Sequence, residues 1–227
     1  MSRSVLFDTE TTGLNPLTGD RVIEIAAIEL DNDLPTTRVL HRLIHPQRDI
    51  PLDATRIHGI TLEHLRDAPK FAEVADEILD FFGDAPLVAH NAPDDFGFLN
   101  TELARVGRPA LAQDRMICTL VLSKARFPGM PNSLDALCRR FDIDLSARTS
   151  HNALLDCKLL AEVYIELTGG RQRGFSLTED DGQGGLPSVC YTLSGPRVPR
   201  LIVPDDAELA AHAAFVGRLK SPVWNAS

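Results

Sequence analysis

Two acidic residues, Asp8 and Glu10, stand two positions apart directly after the apolar run Val5-Leu6-Phe7. Side chains two apart on a strand project from the same face, so both carboxylates would share one surface. Burying two unpaired acids is costly unless a cation neutralises them, and the pair therefore indicates a metal site. The alternative is that the strand ends at Phe7 and both acids are solvated. Because the pattern Asp-x-Glu is common, this alternative would be favoured if the pair were considered alone.

Two further clusters combine acids with histidines. His90-Asn91 leads to Asp95 at the start of a predicted helix, where a carboxylate can serve as a ligand or as a helix cap. His151 precedes another predicted helix, which carries Asp156 on a largely apolar stretch. A lone histidine is more often structural than functional, but a carboxylate buried among leucines is hard to explain structurally.

Taken together, the three clusters resemble the motifs of the DEDD exonucleases in their histidine-bearing subclass, DEDDh. Residues 7–13 resemble the first motif, His90 to Asp95 the second, and His151 to Asp156 the third. A joint match in this order is far more specific than any single motif. Stretches between and after the motifs resemble the epsilon-type proofreading subunits of bacterial DNA polymerase III, least clearly at 171–204.

The resemblance implies a ribonuclease H-like fold and two-metal, 3′→5′ hydrolysis that releases mononucleotides from a single-stranded DNA 3′ end. It implies that two divalent cations are held by Asp8, Glu10, Asp95 and Asp156. Ligands that are all oxygen favour Mg²⁺ or Mn²⁺ over zinc or copper. His151 would be the general base, and Glu10 would also bridge the metals or position the attacking water.

The same resemblance assigns contacts with the terminal nucleotide to the backbone of Thr11 and Thr12 and to the side chain of Leu14, and it implies that His58 lines the same substrate-binding cleft. Two of these residues have structural alternatives. Leu14 would pack within its own loop, and His58 would be a turn residue.

This sequence departs from the family pattern at two positions. Asp94 stands where relatives usually have an aromatic residue, which puts local packing in doubt and allows Asp94 to compete with Asp95 as a ligand. Cys118 stands where relatives commonly have an acid. We expect that change to affect support of the site and not metal binding.

Hydrophobic periodicity predicts an α/β fold, in which a mixed sheet is flanked by helices. The first two strands are expected to form a hairpin with an elaborated loop. The predicted strands lie at 4–8, 21–30, 38–44 and 86–89, and the predicted helices at 71–82, 95–106, 116–126, 133–141 and 152–167. We expect an exonuclease domain at 1–169, a flexible linker at 170–204 and a C-terminal segment at 205–227.

The C-terminal segment pairs an apolar helix, capped by Asp205 or Asp206, with Trp224. Such a helix either docks on a partner, which the resemblance implies is the catalytic subunit of polymerase III, or packs on its own domain. In the linker, Gln172, Phe175 and Leu177 have the spacing of hexapeptides that bind the sliding clamp. The alternative is that these residues also pack back.

Composition limits the classes of protein that remain. Of 227 residues, 44% are hydrophobic and 24% charged, which is typical of a globular protein, and no apolar run could span a bilayer, so a cytoplasmic protein is expected. The net charge of −9 argues against tight unaided nucleic-acid binding. Alternatives to DNA proofreading are a DEDDh exoribonuclease that trims RNA and a mainly structural subunit that stabilises a polymerase.

Overall fold

A computed structural model describes residues 3–146, 148, 151–169 and 203–219. The chain divides into two units, Met1–Phe175 and Ser176–Ser227. Among the helices described, none is long and apolar enough to cross a membrane. The predicted boundaries at 169/170 and 204/205 stay predictions.

The first unit is built on one mixed sheet. The strands are β1 (Arg3–Thr11), β2 (Val22–Asp31), β3 (Leu34–Leu43), β4 (Leu87–Ala89) and β5 (Met116–Cys118). In the described residues their order in the sheet is β3-β2-β1-β4-β5. β1 pairs antiparallel with β2, and β2 antiparallel with β3, whereas β4 runs parallel to both β1 and β5.

Helices cover both faces of this sheet because the strands alternate apolar side chains between the two sides. The helices described in this unit are α1 (Leu52–His58), α2 (Phe71–Phe82), α3 (Ala92–Arg105), α4 (Thr119–Arg126), α5 (Leu134–Arg140) and α6 (Ala153–Leu167). Val5 and Phe7 of β1 join an apolar cluster with α2 and α3, and Leu6 joins a second cluster with α5 and α6.

Local chemistry sets several helix ends. The Ser133 hydroxyl accepts a hydrogen bond from the Ala136 N–H at the start of α5, and the Asn152 side chain accepts one from the Leu155 N–H at the start of α6. α2 has the predicted bounds and ends at Gly83, whose φ of 49° favours glycine. These caps place the first turns of α5 and α6 firmly.

The architecture confirms the predicted α/β class and agrees with a ribonuclease H-like fold. The hairpin of the first two strands is also confirmed. β1 continues beyond Phe7 through Asp8 and Glu10, so the alternative in which the strand stops at Phe7 is wrong.

Three element assignments need correction. The helix predicted at 116–126 begins only at Thr119, because Met116–Cys118 pairs with β4 and forms the edge strand β5. The helix predicted at 95–106 begins earlier, at Ala92, since Pro93 is tolerated in a first turn, where its missing N–H would have no partner. α1 was not predicted, because seven residues carry too little periodicity.

The described part of the second unit contains a helix, α7 (Asp206–Val216). Its predicted cap is confirmed: the Asp205 carboxylate accepts a hydrogen bond from the Glu208 N–H, and the Glu208 side chain accepts one from the Asp205 N–H. Gln172, Phe175, Leu177 and Trp224 lie outside the described residues.

Candidate active site

The acidic pair, Asp8 and Glu10, lies near the C-terminal end of β1. Asp8 lies opposite Ala26 and Glu10 opposite Glu24 in the pairing of β1 with β2. Glu10 is buried and Asp8 is half-buried. Because the two residues are separated by one position on a regular strand, their carboxylates point to the same side, as the sequence predicted.

Asp95 reaches the same region from the first turn of α3. Its side chain is buried, and its Oδ1 accepts a hydrogen bond of 2.6 Å from the Thr9 hydroxyl. Asp94 is exposed, and its carboxylate accepts a hydrogen bond of 2.5 Å from the Asn91 side chain. The geometry therefore favours Asp95 over Asp94 as a member of the acidic cluster.

Asp156 and His151 are carried by α6 and by the residues just before it. Asp156 is buried, whereas the His151 side chain is half exposed. The His151 backbone N–H donates to the Ile57 carbonyl at 3.1 Å, which anchors it beside α1. One ligand atom each from Glu10, His151 and Asp156 lies within 4.8 Å of the others, a spacing suited to a metal ion.

Burial and mutual repulsion raise the pKa values of three of these acids. The pKa of Asp8 lies well above its ordinary value, because of burial and the nearby Asp95 and Glu10. Burial, with the charges of Asp156 and Glu24, raises the pKa of Glu10 to about 8. Burial also raises the pKa of Asp95 to about 7, although the Thr9 hydrogen bond lowers it.

This donor set fits divalent cations. Carboxylates that resist ionisation together become favourable ligands once a positive charge lies among them. The candidate ligand atoms come from β1, α3 and α6, which are separate elements held by the core. The observation agrees with the resemblance, which implies that Asp8, Glu10, Asp95 and Asp156 hold the metals.

A fully buried acid on β2, Glu24, supports the site and was not assigned a role from the sequence. Its carboxylate accepts hydrogen bonds from the His41 Nε2 at 2.6 Å, the Asn152 Nδ2 at 3.0 Å and the Ala153 N–H at 3.2 Å. Glu24 therefore ties the start of α6, which follows His151, to the sheet. The available signal was an acid between two isoleucines in the first half of β2.

Arg148 is the second residue that the sequence left without a role. Its Nε and Nη2 donate to the two oxygens of Asp156 at 2.6 and 2.7 Å, and its Nη2 also lies 2.9 Å from the His151 Nδ1. Its Nη1 contacts the Asp135 carboxylate. The hydrogen bond with Asp156 is the main cause that raises the Arg148 pKa. The feature of the sequence that could have indicated its role is the position of this cationic residue, three residues before His151.

Two neighbouring cavities open on the acidic cluster, and both include Asp8, His90 and Asn91. The larger, of about 600 Å³, extends toward α4 and α5. The smaller, of about 210 Å³, extends toward the loop after β1 and is lined there by Thr11 and Leu14. An extended strand of nucleic acid could pass over the acids from one cavity to the other.

The residues expected to contact the nucleotide differ in their placement. Leu14 is 95% exposed, so the alternative in which it packs within its own loop is not what the structure shows. Thr12 is buried, and its N–H donates to the Arg21 carbonyl at 2.9 Å, which leaves that donor unavailable. The loop closes so tightly that a Cβ at Gly13 would clash with the Asp20 carboxylate.

Two histidines flank the cluster, His58, which is buried, and His90, which is half-buried. His58 ends α1, and its Nδ1 accepts a hydrogen bond from the Ile60 N–H at 3.0 Å. Its Nε2 is buried without a hydrogen-bond partner among the described residues, and burial lowers its pKa. The His90 Nδ1 lies 2.9 Å from the Thr119 hydroxyl, and burial lowers its pKa as well. Both rings therefore favour the neutral form.

Comparison with known proteins agrees with this geometry. A family model described as Exonuclease (RNase_T) matches residues 5–164. The chain belongs to this exonuclease family. Several relatives that align with almost the whole chain are named DNA polymerase III subunit epsilon. That of Rickettsia felis is 44% identical and covers 96% of both chains. That of Escherichia coli is 39% identical, over 94% of this chain and 92% of the relative.

Solved structures give the same result for the fold. Exonuclease X in complex with 5′ overhanging duplex DNA is 26% identical, with a TM-score of 0.57, over 74% of this chain and 91% of that one. A zinc-bound complex of Escherichia coli exonuclease I with single-stranded DNA is 20% identical, with a TM-score of 0.63, over 73% and 41%. The latter likeness concerns the fold alone.

These comparisons confirm the predicted activity. The exonuclease is a metal-dependent hydrolase that acts in the 3′→5′ direction, of the proofreading type. The roles of individual residues, the identity of the metal and the partners stay predictions.

Proposed function

We propose that this exonuclease proofreads DNA by removing single nucleotides from a 3′ end, with two Mg²⁺ or Mn²⁺ ions held by Asp8, Glu10, Asp95 and Asp156. The observation that carries the proposal is the meeting of these four acids, from three separate elements, around Asp8. Asp8, Asp95 and Asp156 also line the two adjoining cavities. Raised carboxyl pKa values at such a place are typical of a functional site.

The ions would be Mg²⁺ or Mn²⁺, because the carboxylates supply hard oxygen ligands. When bound, such ions polarise the phosphodiester and help to ionise water at neutral pH. The protein contributes fixed positions for the ligands. Thr9 orients Asp95 through a hydrogen bond of 2.6 Å, and Glu24 fixes the first turn of α6, in which Asp156 lies.

His151 acts as the general base and takes a proton from the attacking water. Its side chain is half exposed and lines the larger cavity, so water and substrate can reach it. Its Nδ1 lies 3.2 Å from the Asp156 Oδ2. When Nδ1 carries the imidazole proton and donates it to Asp156, Nε2 presents a lone pair to the water.

The terminal nucleotide would lie in the smaller cavity, whose lining includes Thr11 and Leu14. An exposed leucine beside a polar cleft is well suited to pack against a base. His58 lines neither cavity, and its buried Nε2 would have to become accessible before it could contact a nucleotide. Thr12 supports this loop, and its backbone contact with the nucleotide would be made through its carbonyl.

DNA is the favoured substrate because relatives named DNA polymerase III subunit epsilon match 96% of the chain, and the solved Exonuclease X structure holds duplex DNA. We propose that residues 205–227 bind the polymerase III catalytic subunit and that Gln172, Phe175 and Leu177 bind the sliding clamp. A net charge of −9 makes such partners useful for holding the substrate.

The proposal is tested by incubating the purified chain with end-labelled single-stranded DNA and, separately, RNA, with Mg²⁺, Mn²⁺ or a chelator. We expect stepwise shortening of DNA from the 3′ end with either metal and none with the chelator. A preference for RNA would support the exoribonuclease alternative, and no hydrolysis of either would support a structural subunit.

Asp94 and Asp95 offer a matched pair of variants for the same assay. Asp95→Asn should lower the rate by at least about a hundredfold, since it removes a charged ligand. Asp94→Asn makes the same chemical change at an exposed neighbour and should keep the rate within a few-fold. Equal losses in both variants would contradict the assignment of Asp95.

A further inference from the structure

Arg148 contacts both a proposed metal ligand and the proposed base. Two of its nitrogens bind the two oxygens of Asp156 side by side, at 2.6 and 2.7 Å, which is the strongest geometry available to an arginine and a carboxylate. The Arg148 side chain is 9% exposed and that of Asp156 is 5% exposed, so water screens this pair weakly. A protein cation thus occupies the carboxylate that a metal ion would use.

A hydrogen bond from Arg148 to His151 would determine where the imidazole proton lies. A guanidinium only donates hydrogen bonds, so the 2.9 Å contact of Nη2 with the His151 Nδ1 requires Nδ1 to act as the acceptor. A neutral imidazole with its lone pair on Nδ1 carries its proton on Nε2. His151 in this arrangement has no free lone pair with which to take a proton from water.

The base-competent arrangement uses the other contact of the same atom. If Nδ1 is protonated, it donates to the Asp156 Oδ2 at 3.2 Å, and Nε2 becomes an acceptor. Nδ1 cannot accept from Arg148 and donate to Asp156 at once. The two hydrogen bonds are mutually exclusive, and which of them forms decides whether His151 can act as a base.

We propose that Arg148 is an internal counter-ion that keeps the metal-free site inactive and is displaced from Asp156 and His151 when a divalent cation binds. This inference rests on the proposed function, in that Asp156 is taken as a metal ligand. It assigns to Arg148 a positioning role that couples metal binding to the tautomer of His151.

Asp135 gives the displaced guanidinium a place to remain. It lies in the first turn of α5, contacts the Arg148 Nη1, and has a side chain that is 42% exposed. Both Asp135 and Arg148 line the larger cavity. Arg148 therefore needs to release only Asp156 and His151, while its contact with Asp135 retains the charge at the edge of the site, where it can face a phosphate.

The direct test follows the His151 tautomer by ¹⁵N NMR of the full chain with labelled histidine, at about pH 8.5, about two units above the ordinary pKa of an imidazole. The His151 signals are assigned by their loss in His151→Gln. We expect an unprotonated Nδ1 in chelator and a protonated Nδ1 after Mg²⁺ is added. A protonated Nδ1 without metal, or an unprotonated Nδ1 with it, would overturn the proposal.

A second measurement is calorimetric titration of Mg²⁺ and Mn²⁺, without DNA, into wild type and Arg148→Met. Methionine keeps much of the stem and removes every donor, so the metal no longer competes for Asp156. We expect at least about threefold tighter binding, because a competing state weakens apparent affinity by the fraction it occupies. Arg56→Met, at an exposed arginine on α1 that pairs with Asp53, controls for the loss of one charge.

The two measurements separate failure of this inference from failure of the proposed function. Unchanged or weaker metal binding in Arg148→Met, with normal binding in wild type, would refute the counter-ion role and leave the metal site standing. No metal binding in wild type and in Arg148→Met alike would refute the proposed function itself. If Arg148→Met does not fold without metal, the tautomer of the wild type still decides the question.

Discussion

Glu10 and Glu24 face each other directly across the antiparallel pair of β1 and β2, and both side chains are buried. Like charges opposite each other destabilise a sheet. Three hydrogen bonds stabilise the Glu24 carboxylate. The repulsion therefore disfavours ionisation of Glu10, and burial together with the neighbouring acids raises the pKa of Glu10 to about 8.

This relationship predicts how the stability of the metal-free protein depends on pH. The pKa of Glu10 rises from 4.5 to about 8 on folding, so between these values the folded chain keeps a proton that the unfolded chain has lost. The free energy of unfolding should therefore fall as pH rises from about 5 to 8, at up to about 1.4 kcal/mol per unit for one such proton. Thermal unfolding in chelator measures it.

Glu10→Gln provides the control for that pH dependence, because an amide does not titrate. In this variant the fall between pH 5 and 8 should be visibly shallower than in wild type. Mg²⁺ should restore stability to the wild type at pH 8, since it neutralises the ionised acids. The prediction is wrong if wild type and Glu10→Gln have parallel curves in chelator.

A second prediction concerns the pair of acids on β1. Asp8→Ala combined with Glu10→Ala should abolish hydrolysis, because two of the four proposed metal ligands are lost. Without metal, the double variant should unfold at the same temperature as wild type or higher, since both acids are destabilised by burial and repulsion. Gel assays and thermal unfolding report the two properties separately, and wild-type activity in this variant would rule out the mechanism.

The acidic site could be predicted from sequence because each motif is local. Asp8 and Glu10 share a face by the geometry of a single strand, and Asp156 lies five residues after His151 at the start of one helix. The contacts of Glu24 and Arg148 could not be predicted in this way. These contacts depend on the tertiary arrangement of β2, α5 and α6. No local sequence pattern indicates that arrangement.

The same reasoning explains the errors in the fold. α2 could be predicted to the residue because its apolar stripe spans twelve positions and ends at Gly83. Met116–Cys118 has only three residues, and its strand geometry comes from pairing with β4 and not from its own pattern. Tertiary pairing overrides local propensity in such short segments.

A third prediction tests His151 as the general base. His151→Ala should lower kcat by about 10²–10⁴-fold and change KM little, because a base acts on the chemical step. The acid limb of the pH–rate profile should flatten in the same variant. His64→Ala, at an exposed histidine, should leave rate and profile unchanged. An acid limb that persists in His151→Ala would show that another group is the base.

A fourth prediction concerns the C-terminal segment, whose helix α7 is described and whose Trp224 is not. Deleting residues 205–227 should abolish co-purification with the polymerase III catalytic subunit and leave hydrolysis of free single strands unchanged. The two effects should separate because the acidic site lies entirely in the first unit. Trp224→Ala should weaken the association in part. Undiminished co-purification after the deletion would refute the proposed docking.

The last prediction concerns residues 172–177, Gln-Arg-Gly-Phe-Ser-Leu. A glutamine followed by two apolar residues at this spacing can enter a groove as an extended peptide, and binding of this kind is weak alone. Once α7 and its flanking residues are held by a polymerase, effective concentration strengthens even a weak second contact. The clamp would then steady the assembly on DNA, which compensates for the acidic charge of this chain.

The test titrates the sliding clamp with the full chain by calorimetry or fluorescence. Replacing Gln172, Phe175 and Leu177 together by alanine should abolish measurable binding, because these three residues would fill the groove. Replacing the intervening Arg173 and Ser176 by alanine changes the same segment and should leave affinity within a few-fold, since spacer positions face away from it. If the triple variant and the spacer variant bind equally, the segment serves as a linker, and the charge of −9 must be offset by the polymerase alone.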